Sequence, residues 1–135
     1  MKKSSRRKFI GTATLLSVAT AANAVPFTKM KKKYPIVHQV FFWLKNTDSK
    51  EDRDQLVAGV KTLSKIPAIQ ELHVGVVANT EKRDVVDHSW GVSELMFFND
   101  LKGQEAYQTH PIHLEFIKNY SHLWQKVVVY DIEEA

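Results

Sequence analysis

The chain has 135 residues and no cysteine, which excludes a disulfide and a thiol-linked lipid anchor. Its 19 lysines and arginines exceed its 15 acids, but nine of those cations and none of the acids lie before residue 34. Residues 34–135 therefore carry 19 − 9 = 10 cations against 15 acids, a net charge of −5. The basic pI is a property of the N-terminus, so it does not indicate nucleic-acid binding, and we expect no nucleic-acid partner.

The first 24 residues have the pattern of a twin-arginine export signal. The run SRRKF at residues 5–9 opens a modestly apolar stretch, which is shorter than the roughly 20 residues that a membrane-spanning helix needs. The run ANA at residues 22–24 is a small-x-small cleavage site. We therefore predict cleavage after Ala24, a periplasmic or secreted protein without a stable membrane anchor, and a lysine-rich leader at residues 25–35.

Residues 36–45 form the first predicted strand, and both of its faces are apolar. Its even positions place His38 between apolar neighbours, and its odd positions include the large apolar residues Val37, Phe41 and Trp43. A strand with two apolar faces is covered on both sides in the folded protein.

The other elements complete a β-α-β-β-α-β order. They are a helix between Ser49 and Pro67, strands at residues 69–77 and 88–98, a short helix after Asp100, a helix from Pro111 to about residue 123, and a strand at residues 126–132. This order predicts one ferredoxin-like α+β domain at residues 36–132. Its helices cover only one sheet face, so the apolar odd face of the first strand predicts a second copy packed sheet to sheet, in a dimeric α+β barrel.

The motif YQTHPIH at residues 107–113 is the most informative feature for function. Pro111 favours a helix start, and counting back from Phe116 and Ile117 places His113 on the inward face of that helix. A phenol about one turn away makes Tyr107 and His113 a candidate acid–base pair. The alternative is a core histidine with one satisfied hydrogen bond and no role in chemistry.

Three segments together resemble the stress-responsive A/B barrel (Dabb) family, namely AYQTHPIHLEFI around the motif, VHQVFFWLK in the first strand and VVVYD in the last. The resemblance spans about residues 36–132 and implies a dimeric α+β barrel. One plant member of this family is a polyketide cyclase, which uses the tyrosine and the second histidine of the motif for an intramolecular aldol-type ring closure. The resemblance carries these roles to Tyr107 and His113 and gives His38 a position near the pocket.

Strand alternation directs His38 to the side of the helices that carry the motif. We therefore predict a small-molecule pocket in which His38 faces the motif and four further side chains contribute, namely Val40, Phe42, Trp90 and Glu94. The chain has six histidines but no thiol and no H-E-x-x-H motif, so we expect neither a metal nor a cofactor.

Two classes of function stay open for such a pocket. The first is a stress-related or ligand-binding barrel without catalysis. The second is a cofactor-independent lyase or cyclase that acts on a small carbonyl compound. A cavity of roughly 300 Å³ or more that reaches His113 would favour a ligand site, whereas a filled interior would favour a structural role for the motif.

Overall fold

The computed structural model describes residues 34–135, so the predicted signal and the predicted leader up to residue 33 lie outside the described residues. The described part contains four strands and three α-helices, in the order β1 (Ile36–Leu44), α1 (Lys50–Thr62), β2 (Glu71–Val76), β3 (Val92–Phe98), α2 (Leu101–Gln108), α3 (Pro111–Tyr120) and β4 (Trp124–Glu133). Short 3₁₀ turns follow α1 at Leu63–Lys65 and α3 at Ser121–Leu123. None of the helices in this part of the chain is long and apolar enough to cross a membrane.

The four strands form one sheet in the order β2-β3-β1-β4, and each neighbouring pair is antiparallel. This arrangement is the ferredoxin-like α+β fold that the sequence predicts. β1 has a neighbour on each side, so that His38 lies opposite Met96 of β3 and opposite Asp131 of β4. The middle of β1 is therefore the position from which a side chain can reach residues of both neighbouring strands.

The alternation of β1 divides the sheet into a helix-covered face and an open face. The even residues from Ile36 to Leu44, which include His38, are buried, and the odd residues are only partly buried. Helix α1 and the turn after it supply the matching apolar stripe, because Leu56, Val60 and Leu63 are fully buried. His38 thus lies on the helix side, as predicted.

The open face of the sheet carries many apolar side chains. Its apolar members, which we call the open-face residues, are Val37, Phe41 and Trp43 of β1, Leu95 and Phe97 of β3, and Val128, Tyr130 and Ile132 of β4. Tyr130 and Ile132 are 54% and 47% exposed. Large apolar side chains that share one exposed face mark an interaction surface.

The two helices that carry the YQTHPIH motif both begin with side-chain caps. Asp100 accepts a hydrogen bond from the backbone N–H of Gly103 at 2.8 Å, and His110 Nδ1 accepts one from that of Ile112 at 3.1 Å. Pro111 occupies the start of α3, as predicted. The first histidine of the motif is therefore a helix cap, and only the second is left for the interior.

β3 begins at Val92 and not at residue 88, so the predicted start of this strand was wrong. Asp87 accepts hydrogen bonds from both the backbone N–H and the hydroxyl of Ser89, at 2.7 and 2.6 Å. Such local side-chain bonds offer the backbone an alternative to the ladder and keep this segment out of the sheet. Trp90 is consequently a loop residue, and β2 is likewise shorter than predicted, at Glu71–Val76.

Candidate acid–base site

Four polar side chains from four different elements meet between the sheet and the helices. The ring centroid of Tyr107, on α2, lies 4.4 Å from that of His113 on α3 and 5.3 Å from that of His38 on β1. The Tyr107 hydroxyl also donates a hydrogen bond to Oε1 of Glu94, on β3, at 3.4 Å. All four side chains are at most 9% exposed. We call this group the acid–base cluster. It brings His38 together with Tyr107 and His113 of the motif.

His38 is fixed by a carboxylate on the neighbouring strand. Its Nδ1 lies 2.5 Å from Oδ1 of Asp131, its register partner on β4. Because an ionised carboxylate only accepts hydrogen bonds, Nδ1 is the donor. The other ring nitrogen, Nε2, lies 4.0 Å from Glu94 Oε1. That distance exceeds hydrogen-bonding range, so His38 borders Glu94 without binding it.

Glu94 is a carboxyl group in a largely apolar interior. Its Oε1 accepts the hydrogen bond from Tyr107, and its Oε2 is buried with no hydrogen-bond partner among the described residues. Burial raises the pKa of Glu94 from its ordinary 4.5 to about 8, and the hydrogen bond from Tyr107 offsets only part of that rise. Glu94 is therefore protonated at neutral pH.

His113 is held in one tautomer by the backbone of the motif. Its Nδ1 lies 2.9 Å from the carbonyl oxygen of Gln108, which can only accept, so Nδ1 carries the proton. Burial lowers the pKa of His113; the hydrogen bond to Gln108 opposes this shift, and the nearby His38 adds to it. The ring is thus neutral at neutral pH. Its Nε2 lone pair makes no hydrogen bond within residues 34–135 and is free to accept a proton.

Tyr107 is the hydrogen-bond donor of the cluster. Burial raises the pKa of its hydroxyl, and the nearby carboxyl of Glu94 raises it further, so the phenol stays protonated. Its hydrogen bond to Glu94, at 3.4 Å, is long for an O–H···O bond. A neutral imidazole beside a phenol can remove a proton from a ligand while the phenol stabilises the oxygen that gains charge.

Two of the predicted pocket residues belong to the apolar core around the cluster. Val40 is buried and lies directly opposite Glu94 in the register of β1 and β3, so it borders the acid–base cluster. Phe42 lies one alternation further along β1, where its ring packs against Phe116 and Trp124 with centroids 6.4 and 5.0 Å away. Phe42 therefore supports the core beside the cluster.

Trp90 is not brought into the cluster. Its ring packs against Phe41 with centroids 5.1 Å apart, and Phe41 belongs to the open face. The physical reason is that β3 begins only at Val92, so the alternation that places Glu94 on the helix side does not extend back to Trp90. The indole N–H is bound locally, to the carbonyl oxygen of Asp87 at 3.0 Å.

Five of the clefts on the described surface have volumes of about 220–440 Å³, and none of these five is lined by Tyr107, His113, His38 or Glu94. One of about 290 Å³ reaches Asp131, the partner of His38. By the cavity criterion alone, side chains packed this closely favour a structural role for the motif. One buried polar atom without a partner among the described residues, Glu94 Oε2, favours a ligand.

Asp131 is the site residue that the sequence analysis missed. The ferredoxin-like order places the last strand beside the first, and this was the signal that could have paired Asp131 with His38.

Within residues 34–135, no group of three or more histidine, cysteine or carboxylate side chains is arranged to hold a metal ion. The side chains of the cluster can themselves transfer protons and make hydrogen bonds.

Fold and cluster together define a ferredoxin-like α+β protein with a buried group of titratable side chains. The chain belongs to the Dabb family, described as the stress responsive A/B barrel domain, whose family model matches residues 36–134. No curated protein sequence matches the chain closely enough to be counted as a relative.

Several solved structures share the fold. A dimeric ferredoxin-like protein of unknown function from Bacteroides fragilis is 22% identical, with a TM-score of 0.58 over 73% of this chain and 94% of that chain. A Dabb family protein from Mesorhizobium loti is 22% identical, with a TM-score of 0.60 over 74% and 96% of the two chains. A hydroxynitrile lyase from Passiflora edulis is 23% identical, with a TM-score of 0.61 over 74% and 93%. At these identities the likeness shows the fold alone.

Proposed function

We propose that this protein is an exported homodimer that binds a small uncharged molecule at the acid–base cluster. The proposal is carried by Glu94 Oε2, a polar atom buried without a partner in the described interior. Buried polar groups are almost always hydrogen-bonded, and an unpaired one costs about 1–3 kcal/mol. A ligand with a hydrogen-bond acceptor would supply the missing partner of Glu94, and a donor on the same ligand would bind His113 Nε2.

Self-association is supported by the open face of the sheet. Sheet-to-sheet packing of two copies would cover the open-face residues, and the neighbour from Bacteroides fragilis is described as dimeric. A stable interface of this kind buries on the order of 1,600 Å² in total.

The tautomer of His113 favours a second function, that of a cofactor-independent lyase or cyclase on a small carbonyl compound. With Nδ1–H bound to Gln108, Nε2 would take a proton from the ligand while the Tyr107 hydroxyl donates to the carbonyl oxygen that gains charge. The similar fold of a hydroxynitrile lyase supports lyase chemistry on such a scaffold. Proton transfer of this kind needs no cofactor.

Native mass spectrometry of the protein purified from its own host tests the binding proposal. We expect a dimer that carries a retained small molecule, which is released on denaturation, and a His113→Ala protein purified in parallel without it. A bare polypeptide mass, together with no change in Tm on adding small aldehydes and ketones, would contradict a ligand site and leave the structural role.

Export by the twin-arginine route is proposed from the run SRRKF and the cleavage site at residues 22–24. Replacing both Arg6 and Arg7 by lysine should reduce the exported fraction at least about tenfold, because the signal is read from the arginine pair and not from its charge. Fractionation and immunoblotting give that fraction. Replacing Lys2 and Lys3 by arginine is the charge-matched control and should leave export unchanged. Normal export of the first variant would show that another route is used.

A further inference from the structure

We propose that Glu94 sets the selectivity of the acid–base cluster, as an uncharged carboxylic acid that donates a hydrogen bond from Oε2 to an oxygen of the ligand. This inference rests on the proposed ligand-binding function and names the class of molecule accepted. The ligand is an uncharged compound with a carbonyl-type oxygen, preferred over the carboxylate of the same size.

The position of the acid proton follows from the hydrogen bond with Tyr107. The Tyr107 hydroxyl donates to Oε1, which makes Oε1 the accepting oxygen of the carboxyl group. The proton of the uncharged acid then lies on Oε2, the oxygen that has no partner among the described residues. Glu94 is thus a buried donor that the folded domain itself leaves unused.

Titratable side chains of β1, β4, α2 and α3 lie around Glu94. His38 of β1 lies 4.0 Å from Oε1 and is itself paired with Asp131 of β4, while Tyr107 of α2 is the one side chain within residues 34–135 that hydrogen-bonds Glu94. The ring of His113, on α3, packs against the ring of Tyr107, whose hydroxyl binds Glu94. His38 is too distant to hydrogen-bond a Glu94 carboxylate, so burial dominates and raises the pKa of Glu94 to about 8.

Burial also explains why the ligand should be uncharged. The four cluster side chains are at most 9% exposed, so a ligand carboxylate would lose its water on entering. Moving an unpaired charge into such surroundings is far more costly than moving a neutral carbonyl group, which can accept the Oε2 hydrogen bond. A buried carboxylic acid that stays neutral can act as a hydrogen-bond donor in this way.

Carbon-13 NMR of protein labelled at the glutamate carboxyl carbons tests the protonation of Glu94 without any ligand. We expect one glutamate signal to titrate near pH 8, to be missing from the spectrum of Glu94→Gln and to remain in that of the control Glu105→Gln. The absence of a Glu94 signal that titrates near pH 8 would overturn the inference by itself.

Acetophenone and benzoate, which are similar in size and differ in charge, test the ligand class at pH 6.5. We expect acetophenone to shift the Glu94 carboxyl signal and benzoate to leave it unchanged. Glu94→Gln keeps the size and a donor and should retain acetophenone affinity within about threefold, whereas Glu94→Leu should lose at least about tenfold. Circular dichroism of each variant establishes that it is folded.

Two further outcomes separate the inference from the function on which it rests. Equal or tighter binding of benzoate, or unchanged acetophenone affinity in Glu94→Leu, would overturn the donor role of Glu94 while leaving a ligand site in place. Failure of both compounds to bind the wild-type protein, with Glu94 titrating near pH 8, would overturn the donor role and count against the ligand site itself.

Discussion

Replacing Phe41 by aspartate is expected to dissociate the dimer, with the dissociation constant rising at least about a hundredfold. Phe41 belongs to the open face, where its ring lies 5.1 Å from that of Trp90 and 6.3 Å from that of Tyr130. A second copy packed on this face would bury the new carboxylate without a partner, at a cost of about 3–5 kcal/mol. Sedimentation velocity from nanomolar to micromolar concentration measures the change.

Two control variants make the result specific to the open face. Leu114→Asp places the same charge on α3, at a side chain that is 56% exposed, and should leave the dimer intact. Phe41→Leu keeps an apolar side chain on the face and should weaken the dimer only slightly. A wild-type protein that stays monomeric at micromolar concentration would contradict the sheet-to-sheet dimer.

The wild-type protein should lose stability between pH 6.5 and 8, by roughly 1.5 kcal/mol more than Glu94→Gln. Burial raises the pKa of Glu94 from 4.5 to about 8, so between these values the folded state holds a proton that the unfolded state has lost. The stabilisation is complete below pH 4.5 and disappears as pH rises toward 8. Glutamine cannot ionise, so the free energy of unfolding of the variant lacks this dependence on pH.

The choice of pH window removes the contribution of His113. Burial lowers the pKa of His113 below its ordinary 6.5. The contribution of His113 to the free energy of unfolding therefore increases with pH and stops increasing near pH 6.5. Urea unfolding at a fixed protein concentration compares the wild type, Glu94→Gln and the control Glu105→Gln, which changes an exposed carboxyl group of α2. If the free energy of unfolding changed with pH in the same way in the wild type and in Glu94→Gln, Glu94 would be ionised in the folded protein.

The sequence predicted the architecture well because the signals of the first strand and the helices are strongly periodic. Alternation in β1 assigned His38 to the helix side, and Pro111 with the apolar positions after it turned His113 inward. Both depend only on local geometry, which is why they hold. The predicted start of β3 was wrong because the turn made by Asp87 and Ser89 competes with the backbone hydrogen bonds of the sheet. Residue types alone do not show which of the two arrangements forms.

The candidate site was only partly predictable because it depends on pairing and packing. The link between His38 and Asp131 joins residues 93 positions apart and exists only through the register of β1 and β4. The unusual protonation of Glu94 depends on complete burial by side chains from several elements, which no sequence pattern measures. Trp90 was expected in the pocket because the strand alternation was extended into a loop.

The most direct test of the acid–base cluster as a ligand site is thermal unfolding of His113→Ala beside a panel of small uncharged aldehydes and ketones. We expect that compounds which raise the Tm of the wild type leave that of the variant unchanged. The unliganded variant should lose about 1 kcal/mol of stability or less, because the exposed Gln108 can bind water at its freed carbonyl oxygen. His122→Ala, at an exposed histidine, should respond like the wild type. Equal ligand shifts in His113→Ala and the wild type, with a loss of unliganded stability of about 2–3 kcal/mol in the variant, would contradict the account and make His113 a structural residue.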